Sequence, residues 1–258
     1  MDYKAPTLGY INIMTSSQSP STNEQIRSFM YSWEPDDCRN PSLDTRYRIL
    51  IAAFEEIHRV GYQAASISHI LQRTGVTKGA LYHHFPSKKA LGYAVLDELI
   101  LTKVQDVWIT PLADGNPVDV MIRTIEMSGE EITDDDIRLG CPLNNLSQEM
   151  SPIDEGFRKR IEGIYSTWRE GIASGLNAGK KKGQIKADVD TEAMAIMLVA
   201  GLEGCIGAAK SAQSKQVLLH CGGSLIYLLH CLKITADRSD KPETKKERNY
   251  SASSSHEP

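Results

Sequence analysis

The sequence predicts an all-α protein, with a small N-terminal three-helix domain followed by a larger helical domain. Between residues 44 and 235, apolar residues recur at the three- and four-residue spacing of buried helical faces. The segments that carry them are bounded by Asp, Ser, Thr, Pro and Gly. No segment shows the sustained alternation that is typical of strands. At 258 residues, of which 41% are hydrophobic, the chain is long enough to bury a sizeable core.

The first two helices are well bounded. The first is predicted to begin at Asp44 or Thr45 and to end at Gly61. Its apolar residues follow the spacing of a buried stripe: Ile49, Leu50, Ala53, Phe54 and Ile57. Ser66 is the predicted N-cap of the second helix, which Gly75 ends.

The remaining helices follow with short connections. Thr77 begins a third helix of barely two turns, and the Pro-Ser pair at 86–87 separates it from a long helix expected from Lys88 to about Trp108. We expect the acidic segment 130–136 to be a solvated loop. The other predicted helices are residues 116–132, 143–150, 152–183, Thr191–Ser211 and Ser214–Lys233.

Composition divides the chain into four parts. Residues 1–43 and 236–258 are polar without sustained periodicity, and we expect both to be disordered. Residues 44–91 are predicted to form the three-helix domain and residues 92–235 the larger one. Residues 41–92 carry seven Lys or Arg and three Asp or Glu, a net charge of +4, whereas the whole chain has −4. This local basic charge indicates an anionic partner.

Cysteine usage and hydropathy predict a soluble cytoplasmic protein without a membrane partner. The N-terminus lacks the layout of a secretory signal, and the longest apolar run, Ala193 to Leu202, is too short to cross a bilayer. No C-x-x-C pair occurs among the five cysteines, which are Cys38, Cys141, Cys205, Cys221 and Cys231.

Two short helices joined by a Gly-containing turn, after a longer supporting helix, are typical of a helix-turn-helix DNA-binding unit. Leu81 and Phe85 are the large apolar residues that anchor the third helix. Gly79 leaves room for a phosphate to approach the backbone, and Lys88 stands in a first helical turn, where a phosphate would offset the unfavourable dipole. The side chains left for the outside are Thr77, Lys78, Tyr82, His83 and His84.

Residues 45–96 resemble the N-terminal domain of TetR/AcrR-type transcriptional regulators, because the pattern G-V-[ST]-K-G-x-L-Y-x-[HY]-F-x-[SN]-K matches from Gly75 to Lys88. The resemblance implies a TetR-like fold, whose larger domain binds a ligand and dimerises. It implies base contacts from Ala80 and His83, with His84 reaching either bases or phosphates. The phosphate contacts that it implies are Ser66, Lys78, Gly79, Tyr82 and Lys88.

Several alternatives stay open for this segment. Ala65 and Ala80 stand where the family often has Thr, which would remove a hydroxyl contact. A half-buried core position is the alternative for Tyr82. We expect His69 to be a surface residue and His58 to complement the dipole at the end of the first helix. For the whole chain, the alternative is a helical protein–protein interaction module without sequence-specific DNA binding.

The last two predicted helices are the candidates for dimerisation, since sequence-specific sites are usually palindromic and bound by dimers. TetR-like regulators use these helices as an intermolecular four-helix bundle, and packing within one chain is the alternative. Glu203, an acid among apolar neighbours, either pairs across the interface or lies at a solvated edge. Small residues that would let another helix approach closely are Gly201, Gly204, Ala208 and Gly222.

The middle helices carry many apolar residues, which would form an ordinary core or, in TetR-like regulators, enclose an apolar inducer pocket. We expect Cys141 to be a buried, inert thiol, with redox activity as the alternative. The residues that we predict at such a pocket are Cys141, Asn144, Gln148, Tyr165 and Trp168.

The sequence favours a regulator over an enzyme. It has no H-E-x-x-H, G-x-S-x-G, P-loop or G-x-G-x-x-G motif, and its His and Cys residues lack metal-ligand spacing. Neither catalysis, a cofactor nor a metal is predicted. We expect a repressor that binds a palindromic double-stranded DNA operator as a homodimer and is released by a small apolar inducer.

Overall fold

A computed structural model describes residues 44–234, so the disorder predicted for residues 1–43 and 236–258 falls outside the described residues. That range holds no strand, only an isolated antiparallel bridge between Ile185 and Lys233. The predicted all-α fold is confirmed. The ten helices are α1 Thr45–Val60, α2 Ile67–Thr74, α3 Lys78–His84, α4 (88–113), α5 Pro117–Glu131, α6 Asp134–Leu139, α7 Pro142–Met150, α8 Glu155–Lys181, α9 Thr191–Ala212 and α10 Lys215–Leu232.

Side-chain caps explain where the N-terminal helices begin. The Asp44 carboxylate accepts hydrogen bonds from two backbone N–H groups in the first turn of α1. The hydroxyl groups of Thr77 and Ser87 cap α3 and α4 in the same way. Ser66 precedes α2 as predicted, but its side chain makes no capping hydrogen bond. Its backbone N–H donates instead to the Glu56 carboxylate at 3.3 Å.

The helix α4 connects the two domains and runs past its predicted end at Trp108 to Ala113. It begins as an ordinary α-helix, and two later stretches, Val95–Ile100 and Gln105–Ile109, have the wider turns of a π-helix. It contacts α1 near its start and α8 further along. A displacement of α4 against α8 would therefore reach the N-terminal domain.

The acidic segment 130–136 is not a loop throughout, which corrects the prediction. Thr133 begins α6 with a reciprocal capping box, in which its hydroxyl accepts the Asp136 N–H at 3.2 Å and the Asp136 carboxylate accepts the Thr133 N–H at 2.9 Å. Acidic side chains also suit a first helical turn, because they face the positive end of the helix dipole. The consecutive Asp residues therefore start a helix.

The centre of the larger domain is α8, which runs for 27 residues and contacts α4, α7 and α9. The helices α9 and α10 form an antiparallel hairpin, and α10 also packs against α5. These contacts bury one side of the hairpin and leave its other side exposed. The buried face of α8 carries Phe157, Ile161, Ile164, Trp168, Ile172 and Leu176.

Candidate DNA-binding surface and regulatory sites

The short helix α3 exposes most of its surface. Among its seven residues Leu81 is the buried one, and Phe85, directly after the helix, is buried as well. Tyr82 is 39% exposed, which leaves part of its ring accessible to a partner. Ala80 and His84 are half-buried. The predicted contact residues that lie exposed are Thr77, Lys78, Gly79, Tyr82 and His83.

The turn between α2 and α3 depends on Gly75, whose φ of 66° lies in the left-handed region that favours glycine. The Arg48 guanidinium donates a hydrogen bond to the Thr74 carbonyl at 2.5 Å, which ties α1 to the start of this turn. At Gly79 no atom beyond the neighbouring residues and the backbone of α3 lies within 4 Å of the position that a Cβ would occupy. The α3 backbone is therefore open to close approach.

Lys88 is held against the loop between α1 and α2. Its ammonium donates to the Gln63 carbonyl at 2.9 Å and lies 4.9 Å from the centre of the Tyr62 ring. Burial lowers the pKa of Lys88. These contacts help to offset the unfavourable position of the Lys88 charge in the first turn of α4. They could not be predicted from the helix dipole alone.

Glu56 is a buried acid that joins α1 to α2. It accepts a hydrogen bond from the Arg59 guanidinium at 2.6 Å and lies 3.2 Å from Nδ1 of His69, an exposed residue as predicted. The Ser66 N–H is its third partner. Burial opposes ionisation of Glu56, but these hydrogen bonds lower its pKa below the ordinary value. The carboxylate thereby fixes α2 relative to the supporting helix.

His58 lies in the last turn of α1, as predicted, and its ring is half-buried. Its Nε2 lies 2.7 Å from the Gly140 carbonyl oxygen, and burial lowers the pKa of the imidazole. Beside it, the Glu149 carboxylate accepts the backbone N–H groups of Tyr62 and Gln63 at 2.8 and 2.7 Å. These contacts form a second connection, besides α4, between the two domains.

The outer side of the α9–α10 hairpin is apolar. Gly204 and Ala208 are exposed on it, and their contact with another helix stays a prediction. Gly201 and Gly222 do not lie on it: a Cβ at Gly201 would lie 2.7 Å from the Leu225 side chain, and Gly222 faces α5. These two glycines therefore allow close packing within the chain, which was the alternative to dimerisation. The prediction of this face named only small residues. The large exposed apolar residues of the hairpin are Ile196, Met197, Leu219 and Tyr227.

Apolar composition makes α9 unusual among the helices of residues 44–234. By length and composition it is the one helix of that range that could cross a membrane, which differs from the expectation based on its ten-residue apolar run, although core helices of soluble proteins pass the same test. Glu203 interrupts it, and its neighbours Leu198 and Val199 are buried against the rest of the chain. The helix is therefore packed on one side and exposed on the other.

Three of the five residues predicted at an inducer pocket lie in the interior, and the other two lie at the surface. Asn144 and Gln148 line a surface cleft of about 720 Å³ between the end of α1 and α6–α7. Cys141 and Trp168 are buried, and Tyr165 is half-buried in the interior. Nowhere in the described part of the chain do three or more His, Cys, Asp or Glu form a group that could hold a metal ion.

Glu203 belongs to this interior, which corrects the predicted solvated edge, whereas its pairing across an interface stays a prediction. The residue is 7% exposed, and its Oε1 accepts a hydrogen bond from the Cys141 thiol at 3.3 Å. Burial raises the pKa of Glu203 to about 7, and burial together with the nearby Glu203 charge raises the pKa of Tyr165. One residue from Gly204, a helix turns by roughly 100°, which directs Glu203 away from the outer face.

Comparison with known proteins matches both domains. The model of bacterial regulatory proteins of the tetR family covers residues 49–95, and that of the tetracyclin repressor-like C-terminal domain covers residues 121–221. An uncharacterised HTH-type transcriptional regulator of Lactococcus lactis is 32% identical over 141 residues, which are 52% of this chain and 69% of that protein. The HTH-type transcriptional repressor DhaR of a Mycobacterium species is 27% identical over 166 residues, 61% of this chain and 78% of DhaR.

A solved structure shows the same architecture. The TetR transcriptional regulator from Chloroflexus aurantiacus aligns with a TM-score of 0.65 and 27% identity, over 74% of this chain and 97% of that one. The exposed α3, its glycine turn and the central α8 thus belong to a known arrangement. This chain is a member of the TetR family of bacterial regulatory proteins and a DNA-binding transcriptional regulator.

Proposed function

We propose that this regulator is a repressor that binds a palindromic operator as a homodimer and is released when a small apolar effector binds its larger domain. The observation that carries the proposal is the pair of separate exposed surfaces, α3 on one domain and the apolar side of the α9–α10 hairpin on the other. Pairing through the hairpin would bring two α3 helices to one duplex. The relative named as a repressor, DhaR, supports the direction of control.

The exposed set on and around α3 divides into two kinds of contact. Ala80 and His83 would reach base edges in the major groove. Thr77 and His84 adjoin both the residues assigned to bases and those assigned to phosphates. Lys88 can keep its hydrogen bond to Gln63 and still donate to a phosphate, because an ammonium has three N–H donors. The residues that we assign to phosphates are Ser66, Lys78, Gly79, Tyr82 and Lys88.

Two connections would carry the effector signal to the DNA. One is α4, and the other is the group of contacts that Glu149 and Gly140 make with the end of α1. A bound effector that moves α4 against α8 changes the separation of the two α3 helices, so they no longer fit one operator. Such coupling needs a difference in affinity of about 1–3 kcal/mol between the two states.

A direct test uses the full-length protein and the DNA upstream of its own coding sequence. We expect protection of a site with two symmetric halves about one helical turn apart, and a dimeric mass by light scattering. A monomer that binds no duplex in a sequence-dependent manner would contradict the proposal and favour the helical interaction module. Because a repressor acts on DNA, we place the protein in the cytoplasm.

A further inference from the structure

Three buried polar atoms in the larger domain make no hydrogen bond within residues 44–234: Oε1 of Gln184, Oε2 of Glu203 on α9 and Nε1 of Trp168 on α8; the last two are on helices that pack together. Glu203 and Trp168 are 7% and 3% exposed. Nearly all buried polar groups in native proteins have a partner, because leaving one unpaired costs free energy. The unpaired carboxylate oxygen of Glu203 indicates a missing hydrogen-bond donor.

Trp168 and Glu203 lie on α8 and α9, which pack against each other. Tyr165 and Trp168 are three residues apart on α8 and so share a face. The charge of Glu203 helps to raise the pKa of the Tyr165 phenol, which indicates that this face of α8 lies close to the carboxyl group. Cys141, before α7, donates to the other oxygen of Glu203. Since Tyr165 is only half-buried, the region lies close to the surface at that point.

The chemistry of the region selects one kind of partner. Glu203 forms no ion pair with a Lys, Arg or His in the part of the chain that the structure describes, and its one recorded hydrogen-bond donor is a thiol. The Trp168 ring packs against Trp108 of α4 at 5.4 Å between centroids, which provides an apolar and aromatic wall. Aromatic faces and a carboxylate both attract cations, whereas an anionic ligand would be repelled.

We propose that Glu203 binds the ammonium group of an organic amine whose apolar body packs against Trp168. The inference rests on the effector-controlled function proposed above and names the class of effector. The amine supplies the donor that Oε2 lacks and neutralises a charge that is costly to bury. Because Trp108 belongs to α4, a ligand placed there would press on the helix that leads to the N-terminal domain.

Three probes with one apolar body and different polar ends test the proposal: 2-phenylethylamine, 2-phenylethanol and phenylacetate. Binding to the full-length protein is measured by calorimetry at about pH 8, where Glu203 is ionised. We expect the amine to bind at least about tenfold more tightly than the alcohol or the acid, the margin of a charge-assisted hydrogen bond. This ranking needs no variant, so it stands even where a substitution disturbs folding.

Two matched variants of α9 assign the effect to one residue. Glu203→Gln should lose the advantage of the amine over the alcohol, while Glu192→Gln, an exposed acid in the first turn of the same helix, should keep it. The proposal is overturned if the alcohol or phenylacetate binds as tightly as the amine, or if Glu203→Gln keeps the preference. It is equally overturned if the amine shows no saturable binding up to about 10 mM, where weak fragments are still detected.

A separate gel-shift measurement of operator binding distinguishes the two proposals. Amine binding that depends on Glu203 in a protein that binds no operator would leave the site standing and contradict the repressor function. Release of the operator by other compounds, without amine binding, would contradict the Glu203 site alone.

Discussion

The N-terminal domain and the interior of the larger domain use polar groups in opposite ways. In α3 the polar side chains are exposed, and one buried residue, Leu81, holds the helix in place. In the interior, Glu203 and Trp168 are buried with unpaired atoms. Exposed groups can be replaced with little effect on folding, so the main effect of replacing them is on DNA binding. Replacement of the buried groups changes stability and ligand binding together.

The largest expected effect concerns the outer face of the α9–α10 hairpin. Met197→Glu puts a charge at a residue that is 60% exposed, so the monomer should fold normally while the dimer dissociates. Operator affinity should fall at least about 100-fold, because each half-site is then bound alone. Ile153→Glu, at an equally exposed residue outside the hairpin, is the control. A Met197→Glu protein that stays dimeric in light scattering would exclude this face.

Next is the effect of Glu203 on stability as the pH changes. Its pKa rises from 4.5 in the unfolded chain to about 7 in the folded protein, so the folded state gains stability below about pH 4.5 and loses it as the pH rises through 7. The shift corresponds to about 3 kcal/mol above pH 7. Glu203→Gln should therefore be more stable than the unsubstituted protein at pH 8, by up to that amount, in urea unfolding at constant protein concentration.

The control for this measurement is Glu192→Gln, whose exposed carboxylate should leave the pH profile unchanged. If the free energy of unfolding changed with pH between 4.5 and 7 in the same way for Glu203→Gln and for the unsubstituted protein, the burial of this carboxyl group would be contradicted.

On the exposed side of the comparison, His83→Ala should leave the free energy of unfolding almost unchanged, because His83 is exposed on α3. It should relax specificity at one base pair by about 1–3 kcal/mol. Affinities for operators with single base-pair changes measure this effect. Equal weakening on every operator would show that His83 does not contact a base.

The smallest effect is expected at Lys88. Lys88→Ala should weaken binding about equally on all sequences and reduce the slope of log affinity against log salt by about one. Loss of the hydrogen bond to Gln63 should also cost about 1 kcal/mol of stability. Lys89→Ala, which removes a neighbouring ammonium that pairs with Asp154, is the control. An unchanged salt slope in Lys88→Ala would remove this residue from the phosphate contacts.

Much of the fold was predictable because its signals are local. The caps at Asp44, Thr77 and Ser87 lie next to the helices that they begin, and the left-handed Gly75 sits in the turn that needs it. The loop predicted for residues 130–136 was wrong because a run of acids is also what the first turn of a helix favours. Composition alone could not separate these two outcomes.

The sequence by itself determined the helices, the helix-turn-helix unit and the outward side of α3, since periodicity and capping act over a few residues. The tertiary structure alone decided which neighbours the polar groups meet. Glu203 contacts Cys141 across 62 positions, and Lys88 contacts Gln63 across 25. Periodicity shows that a helix has faces, but the packing of distant helices decides which face is buried and what lies against it. For that reason Glu203 could be singled out in the sequence, but its burial and its contact with Cys141 were decided by the fold.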